Sequence, residues 1–312
     1  MSKWMLRAFR ARNLRPALMA PAVLSLLSAG AEAAAGLGAP TPRQFNLQDS
    51  ASDMAHQIHS FHDKLLIIIT LITVFVLVLL LYVMFRFNER ANPQPSRTTH
   101  STALEVAWTI IPILVLLYIA IPSFRLLYAQ YDYPKPDLTI KSTGHQWNWT
   151  HEYVDNGISM ESLMLNEQDR ADRIKKTGLP AEQLPRLLAV DNEIVVPVDK
   201  VVHVLVTATD VIHAWAIPAL GANTDAVPGR VTATWFKANT TGIFYGQCSQ
   251  LCGKDHAFMP VAIRVVAEPV YQQWLAVMTD KALKKQEKLD KARGIVVKAA
   301  LDDIRNSKLA AR

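Results

Sequence analysis

Leu65 to Phe85 is a run of 21 residues without a single charge. A helix needs about 20 apolar residues to cross the hydrocarbon core of a bilayer. Lipid offers no partner to a bare backbone amide, so a run of this kind has few options besides a helix. Val106 to Phe124 is a second uncharged run of 19, interrupted by Pro112 and Pro122. Membrane helices tolerate proline better than soluble ones do. A buried soluble hairpin is the competing reading, and it suits the second run better than the first. We read the two as a transmembrane helical hairpin over 61–128. The loop 86–105 carries Arg86, Arg90 and Arg97 against Glu89 and Glu105. The positive-inside rule places that loop in the cytoplasm and both flanking segments on the outer side.

The start of the chain agrees with this topology. Lys3 to Arg15 is basic, Ala17 to Leu27 is apolar but too short to span, and Ala31-Glu32-Ala33 has the form of a cleavage site. Residues 1–33 read as a signal peptide. Residues 34–60 then form a periplasmic N-terminal segment. The net charge of +6 is concentrated at the two ends. Residues 1–33 carry five cations against Glu32, and residues 279–312 carry ten cations against five anions, leaving 34–278 at −3. A mildly acidic centre argues against nucleic acid and suits a basic protein partner.

Beyond Asp137 the pattern changes to short β-rich runs: Asp137–Lys141, Glu193–Val198, Val201–Thr209, Val231–Lys237 and Val261–Val266. Gly, Pro, Asn and Asp punctuate them, which predicts an all-β sandwich or barrel over 135–268. Asn156 to Pro185 is polar and reads as an insertion between strands. Tyr271 to Met278 begins a helix. The Lys-, Ala- and Leu-rich tail within 269–312 continues as helix, with Gly294 as its weak point. Cations and anions at helical spacing predict a solvated face there, or one that meets anionic lipid or another subunit.

The chemistry is concentrated in C-S-Q-L-C-G-K-D-H-A-F-M-P, Cys248 to Pro260, which holds both cysteines of the chain. Cys248, Cys252, His256 and Met259 follow one another at short spacing, and His213 lies upstream in D-V-I-H-A-W. Gly253 and Pro260 suggest a ligand loop between strands, with His213 brought in from a distant loop. Two thiolates, two imidazoles and a thioether form a soft donor set that favours copper. One Cys would suit a mononuclear centre, whereas two can bridge a pair. Zinc accepts Cys2His2 but leaves Met259 without a role. A disulfide leaves both the histidine and the methionine without one.

These residues lie among further motifs: G-H-Q-W at 144–147, R-L-L-A-V-D-N at 186–192, D-V-I-H-A-W-A-I-P at 210–218, D-A-V-P-G-R at 225–230 and Y-G-Q-C-S-Q-L-C-G at 245–253. Together, from about Phe45 to Met278, they resemble subunit 2 of the haem-copper cytochrome c oxidases of bacteria and mitochondria. The resemblance implies two transmembrane helices, then a cupredoxin-like Greek-key sandwich or barrel in the periplasm, then a helical tail. It implies a dinuclear copper A centre of two copper ions on His213, Cys248, Cys252, His256 and Met259, with the backbone carbonyl of Gln250 as a further ligand. Trp147 matches the aromatic where electrons enter from cytochrome c. Asp210 and Asp225 match acidic positions near the docking face and the subunit 1 contact. Glu105 matches a glutamate at the mouth of a proton channel, and ionisable groups at membrane segments suit such relays.

The implied partners are subunit 1, which holds haem a and copper B and reduces oxygen to water with proton pumping, subunit 3, cytochrome c and the bacterial inner membrane. The chain departs from the pattern twice. Gln250 stands where the family usually has a glutamate that also helps bind magnesium. Magnesium prefers carboxylate oxygen, which weakens the case for that site. Asn148 stands where an aromatic is usual. Three other readings fit less well. A quinol oxidase subunit lacks the copper ligands. A copper carrier gives Trp147 and Glu105 no role. A nitrous or nitric oxide reductase component does not account for the two-span anchor.

Overall fold

The computed structural model describes residues 37–94 and 96–310, and the expected signal peptide lies outside them. The two apolar runs are helices. α1 spans Asp53–Arg86 and α2 spans Thr102–Tyr131. At 1.5 Å per residue these are about 51 and 45 Å long, more than a bilayer core requires. Their apolar side chains, from Leu66 to Phe85 and from Leu104 to Tyr131, point outward almost throughout. Such helices are stable only where something apolar surrounds them. The connection is shorter than the expected loop, because α1 runs to Arg86 and α2 starts at Thr102.

The outer ends of both helices are tied to the β-rich part. Ser52 caps α1, accepting from the Ala55 amide at 3.0 Å. Its hydroxyl also donates to the Leu220 carbonyl at 2.7 Å. Losing such a cap costs about 1 kcal/mol. Met54 and Ala55 are buried beside it. Past the end of α2, the Tyr133 hydroxyl donates to the Ala233 carbonyl and Trp235 Nε1 donates to that of Gln130.

Eleven described strands follow: β1 Leu37–Gly38, β2 Leu138–His145, β3 Asn148–Tyr153, β4 Ile158–Ser162, β5 Ile194–Pro197, β6 Val201–Ala208, β7 His213–Ile217, β8 Ala222–Ala226, β9 Thr232–Lys237, β10 Gly242–Gln247 and β11 Pro260–Val266. One sheet has the order β1-β10-β11-β5 and the other β4-β3-β2-β6-β9, and β7 and β8 form a separate hairpin. Alternation sends Trp149, His151 and Tyr153 of β3, and Val202, Val204 and Val206 of β6, into the space between the sheets. The Tyr153 hydroxyl spans that space, donating to the Val195 carbonyl and accepting from its amide. The β7–β8 hairpin lies against β10 so closely that a Cβ at Gly246 would stand 1.6 Å from the Ala216 oxygen. The result is the expected all-β sandwich behind a helical pair.

Three local expectations need correction. The segment 156–185 holds strand β4 and helix α3, Glu167–Thr177, capped by Asn166 at one end and by Gly178 in the left-handed conformation at the other. Its polar composition hides them because α3 has only a narrow apolar side. His213 opens a strand rather than sitting on a loop. The tail forms α4, Glu268–Thr279, and α5, Lys285–Ala310, which passes through Gly294 unbroken. One face of α5 is not solvated: Ala292, Val296 and Ala300 are buried. Ala300 packs with Leu165, Leu179 and Leu184 of the insertion and with Ala189 just beyond it. Insertion and tail together cover the outer face of β11, which is buried along its whole length. Arg264 therefore lies under cover, and its guanidinium is held by both Glu193 oxygens, at 2.8 and 2.9 Å. Such a bidentate pair offsets much of the desolvation.

His151 is the titratable side chain most deeply committed to the core. Its Nδ1 meets Ser142 Oγ at 3.0 Å, and its Nε2 is buried without a partner. Burial drives its pKa down to about 3. The folded ring is neutral where an unfolded one would carry a proton, so its contribution is complete above the unfolded pKa of 6.5 and is lost as pH falls toward 3. We predict that between about pH 6 and 4 the sandwich loses about 1.4 kcal/mol per pH unit from this group alone. Urea unfolding followed by tryptophan fluorescence checks it: His151→Asn removes that slope, and an unchanged slope contradicts it.

Candidate metal centre

β10 and β11 pair antiparallel up to Gln247 and Pro260. Residues 248–259 must therefore leave and return at neighbouring points, which closes them into one compact loop. A short 3-10 turn, His256–Phe258, brings Met259 back to the start of β11. The thiols of Cys248 and Cys252 come to 3.8 Å without a disulfide. Cys252 Sγ is 3.5 Å from His256 Nδ1 and 3.6 Å from Met259 Sδ. The Gln250 carbonyl faces Cys248 Sγ at 3.2 Å. Both cysteines and Met259 are buried.

The fourth side comes from β7. His213 is fully buried, and its donor atom lies within 4.8 Å of both sulfurs. Its ring packs edge-on to Trp149, whose Nε1 donates to the Met259 carbonyl at 3.2 Å. Asp210 Oδ1 holds His213 Nε2 at 2.8 Å. The other nitrogen, Nδ1, is buried and has no hydrogen-bond partner. A buried imidazole nitrogen without a partner is costly unless something binds it. Locking Nε2 as the donor leaves the Nδ1 lone pair facing the sulfurs, and a carboxylate holding the far nitrogen in this way is common around metal-bound histidine.

The local electrostatics favour ionised ligands. Burial raises the Cys248 thiol, but the His213 ring beside it, backbone hydrogen bonds from Ala214 and Gln250, and His256 outweigh it and pull its pKa down to about 6. Cys252 is pushed upward by burial and by the neighbouring Cys248 charge. Two thiols this close ionise together only when a cation lies between them. Burial likewise opposes the charge on Asp210, but its bonds from His213, Val211 and Gln146 prevail and hold it below the usual carboxylate range. The donor set, the partnerless Nδ1 and the paired thiols fit a soft metal, with Met259 pointing toward copper rather than zinc.

The remaining expected residues are distributed around this cluster. Trp147 is half-buried at the rim, and its Nε1 donates to the Cys252 carbonyl at 3.2 Å. Gln146 Nε2 reaches the same oxygen at 3.0 Å. Gly253 has φ +124°, and a Cβ there would meet the Trp147 ring at 2.9 Å, so glycine is what lets the loop lie against the indole. Asp225 is exposed on β8, opposite Ala214. Glu105 stands apart, exposed in the first turn of α2, about 40 Å along that helix from the sandwich.

The family Cytochrome C oxidase subunit II, periplasmic domain, matches residues 138–266, and its transmembrane domain matches residues 40–126. Cytochrome c oxidase subunit 2 of Cereibacter sphaeroides is 45% identical over 247 residues, which cover 77% of this chain and 82% of that protein. The chain belongs to the cytochrome c oxidase subunit 2 family. Probable cytochrome c oxidase subunit 2 of Rickettsia bellii is 45% identical over 238 residues, covering 76% of this chain and 85% of that protein. The crystal structure of the periplasmic domain of subunit II of cytochrome oxidase of Bradyrhizobium japonicum shares 54% identity over 47% of this chain and 96% of that one, with a TM-score of 0.41.

Several contacts in this family member escaped sequence reading. Asp210, expected near the docking face, is exposed, and its carboxylate also accepts from His213 Nε2 and from the amides of Gln146 and Val211. The D-x-x-H spacing was the available signal. Asn148 Nδ2 donates to Glu161 Oε1, a carboxylate on the neighbouring strand β4. Asn192 ties the Glu161 carbonyl to Arg293 of α5, so the tail reaches by hydrogen bonds to the strand beside Trp147. We predict that Asp210→Ala lowers copper affinity by about 10- to 100-fold, as loss of a second-shell partner usually does. A competition titration against a copper chelator measures it, and unaltered affinity would refute the role of Asp210 in fixing the histidine.

Proposed function

We propose that this chain is the electron-accepting subunit of a haem-copper oxidase in the bacterial inner membrane, with its sandwich in the periplasm. It takes electrons from cytochrome c and passes them to haem a in subunit 1. There, with copper B, oxygen is reduced to water and protons are pumped. The observation that carries this reading is the convergence of two thiols, two imidazoles and a thioether around a His213 nitrogen that has no protein partner. Family membership over both the membrane and the periplasmic part supports it.

His213, Cys248, Cys252, His256 and Met259, with the Gln250 carbonyl, would hold two copper ions. Copper in that setting supplies one-electron redox capacity. The residues around it have separable tasks. Asp210 orients His213. The paired strands β10 and β11 of one sheet fix the ligand loop at both ends, so oxidation and reduction need move few atoms. Trp147 offers an aromatic surface at the rim, and its N–H···O=C link joins that surface to Cys252. Glu105, at the far end of α2, would face the mouth of a proton channel in subunit 1 on the cytoplasmic side. Asp225 would meet a partner protein at the edge of the site. Subunit 3 would complete the membrane assembly. Gln250 offers magnesium a neutral oxygen only, so the metal would depend on other groups there.

The test is electron uptake by the assembled oxidase. Mixed rapidly with reduced cytochrome c, Trp147→Phe should take up electrons more than an order of magnitude more slowly, with copper content unchanged. Uptake at the unmodified rate would rule out Trp147 as the point where electrons enter.

A further inference from the structure

Trp149 is an inward residue of β3 that the proposed mechanism leaves unused, and it is 0% exposed. It touches two of the expected copper ligands, one from β7 and one from the ligand loop. Its ring lies edge-on to the His213 imidazole, with centroids 6.0 Å apart and planes at 63°. Its Nε1 donates to the Met259 carbonyl at 3.2 Å. β2 can approach both rings only as Gly144, the glycine of G-H-Q-W. A Cβ there would stand 2.9 Å from His213 Cδ2 and 3.2 Å from Trp149 Cζ3, so a larger residue would displace one ring or the other. Met259 closes the loop and precedes Pro260, which pairs with Gln247 at the start of β11. Proline has no N–H to give the ladder there, and the indole bond supplies an anchor just before it. The Met259 sulfur is 3.6 Å from Cys252 Sγ, so a small shift of this backbone moves the thioether relative to the thiols.

We propose that Trp149 is a positioning residue that sets the reduction potential of the copper pair. Its indole N–H fixes the Met259 thioether against the thiols, and its ring edge fixes the His213 imidazole. The inference rests on the two-copper reading given above. A weak thioether donor tunes the potential of a copper–thiolate centre, and the groups behind the ligands decide where those ligands stand. Oxidation leaves the copper pair with one more positive charge. A donor that backs away therefore destabilises the oxidised form more than the reduced one, so losing the indole N–H raises the potential. The described ligand set holds one thioether, which serves one copper of the two. Moving it makes the coppers unequal, and the shared electron spreads less evenly over them.

The experiment uses the full-length copper-loaded chain in detergent, with Trp149→Phe or with the benzothiophene analogue of tryptophan in place of Trp149. The analogue carries sulfur where the indole has N–H. It keeps the ring and removes only the donated bond, so it decides the matter if Trp149→Phe fails to fold. The readouts are a mediator titration of the potential, the copper hyperfine pattern in electron paramagnetic resonance, and copper affinity against a chelator. Without the N–H, the reduced-to-oxidised ratio at a fixed mediator potential should rise several-fold. The hyperfine pattern should become uneven, and copper affinity should fall about 10-fold. A residue that only fills the core would lower thermal stability and leave the potential and the hyperfine pattern unmoved. That result, or a fall in potential, would overturn the proposal. If the unmodified chain shows one isolated copper or binds only zinc, the two-copper reading fails instead.

Discussion

The hydrogen bond between Asp210 and His213 sets the terms for everything around it. The imidazole is buried, one nitrogen is taken by the carboxylate, and the other faces two thiols. No described protein group satisfies that second nitrogen. A buried nitrogen without a partner is costly, and the two thiols and the thioether beside it suit a soft metal. The fold exists to hold this geometry. β7 delivers the histidine, the antiparallel pair β10 and β11 closes the loop that delivers the sulfurs, and Trp149 fills the gap between them.

The same site is tied mechanically to the membrane. Ser52 joins the start of α1 to the turn at Leu220, which leads into the hairpin carrying His213. Tyr133 and Trp235 join the end of α2 to β9 and its flank. Tension or rotation in the helix pair would thus reach the sandwich through several hydrogen bonds. On the other side, insertion and tail cover β11 and bury the Arg264–Glu193 pair. The loop 248–259 is supported by β11, which is buried along its whole length.

Much of this was legible in the residues themselves. An uncharged run of about twenty has few alternatives to a helix, and a soft donor set at loop spacing has few uses besides a soft metal. Some of the strands without a sequence signal, β3 and β4, mix polar and apolar residues, whereas β7 and β10 are short apolar runs beside the ligand motifs. In β3, Asn148–Tyr153, the inward positions are Trp149, His151 and Tyr153, and a buried histidine disguises the period. The tail resisted for a related reason. Its buried stripe of Ala292, Val296 and Ala300 is made of small residues, and its partner is an insertion that also looks polar. Contacts that depend on chain reversal, such as Lys254 over Trp147 or Asn148 on Glu161, have no one-dimensional signature. The bond between Asp210 and His213 is a case where the D-x-x-H spacing held the clue.

The most direct test of the whole account is electron paramagnetic resonance on the copper-loaded chain. If the five side chains form one dinuclear centre, a single unpaired electron shared over two copper nuclei should give a multi-line hyperfine pattern, and the pattern should collapse when Cys252 is replaced by serine. A spectrum from one isolated copper, or a silent protein that has bound only zinc, would contradict it.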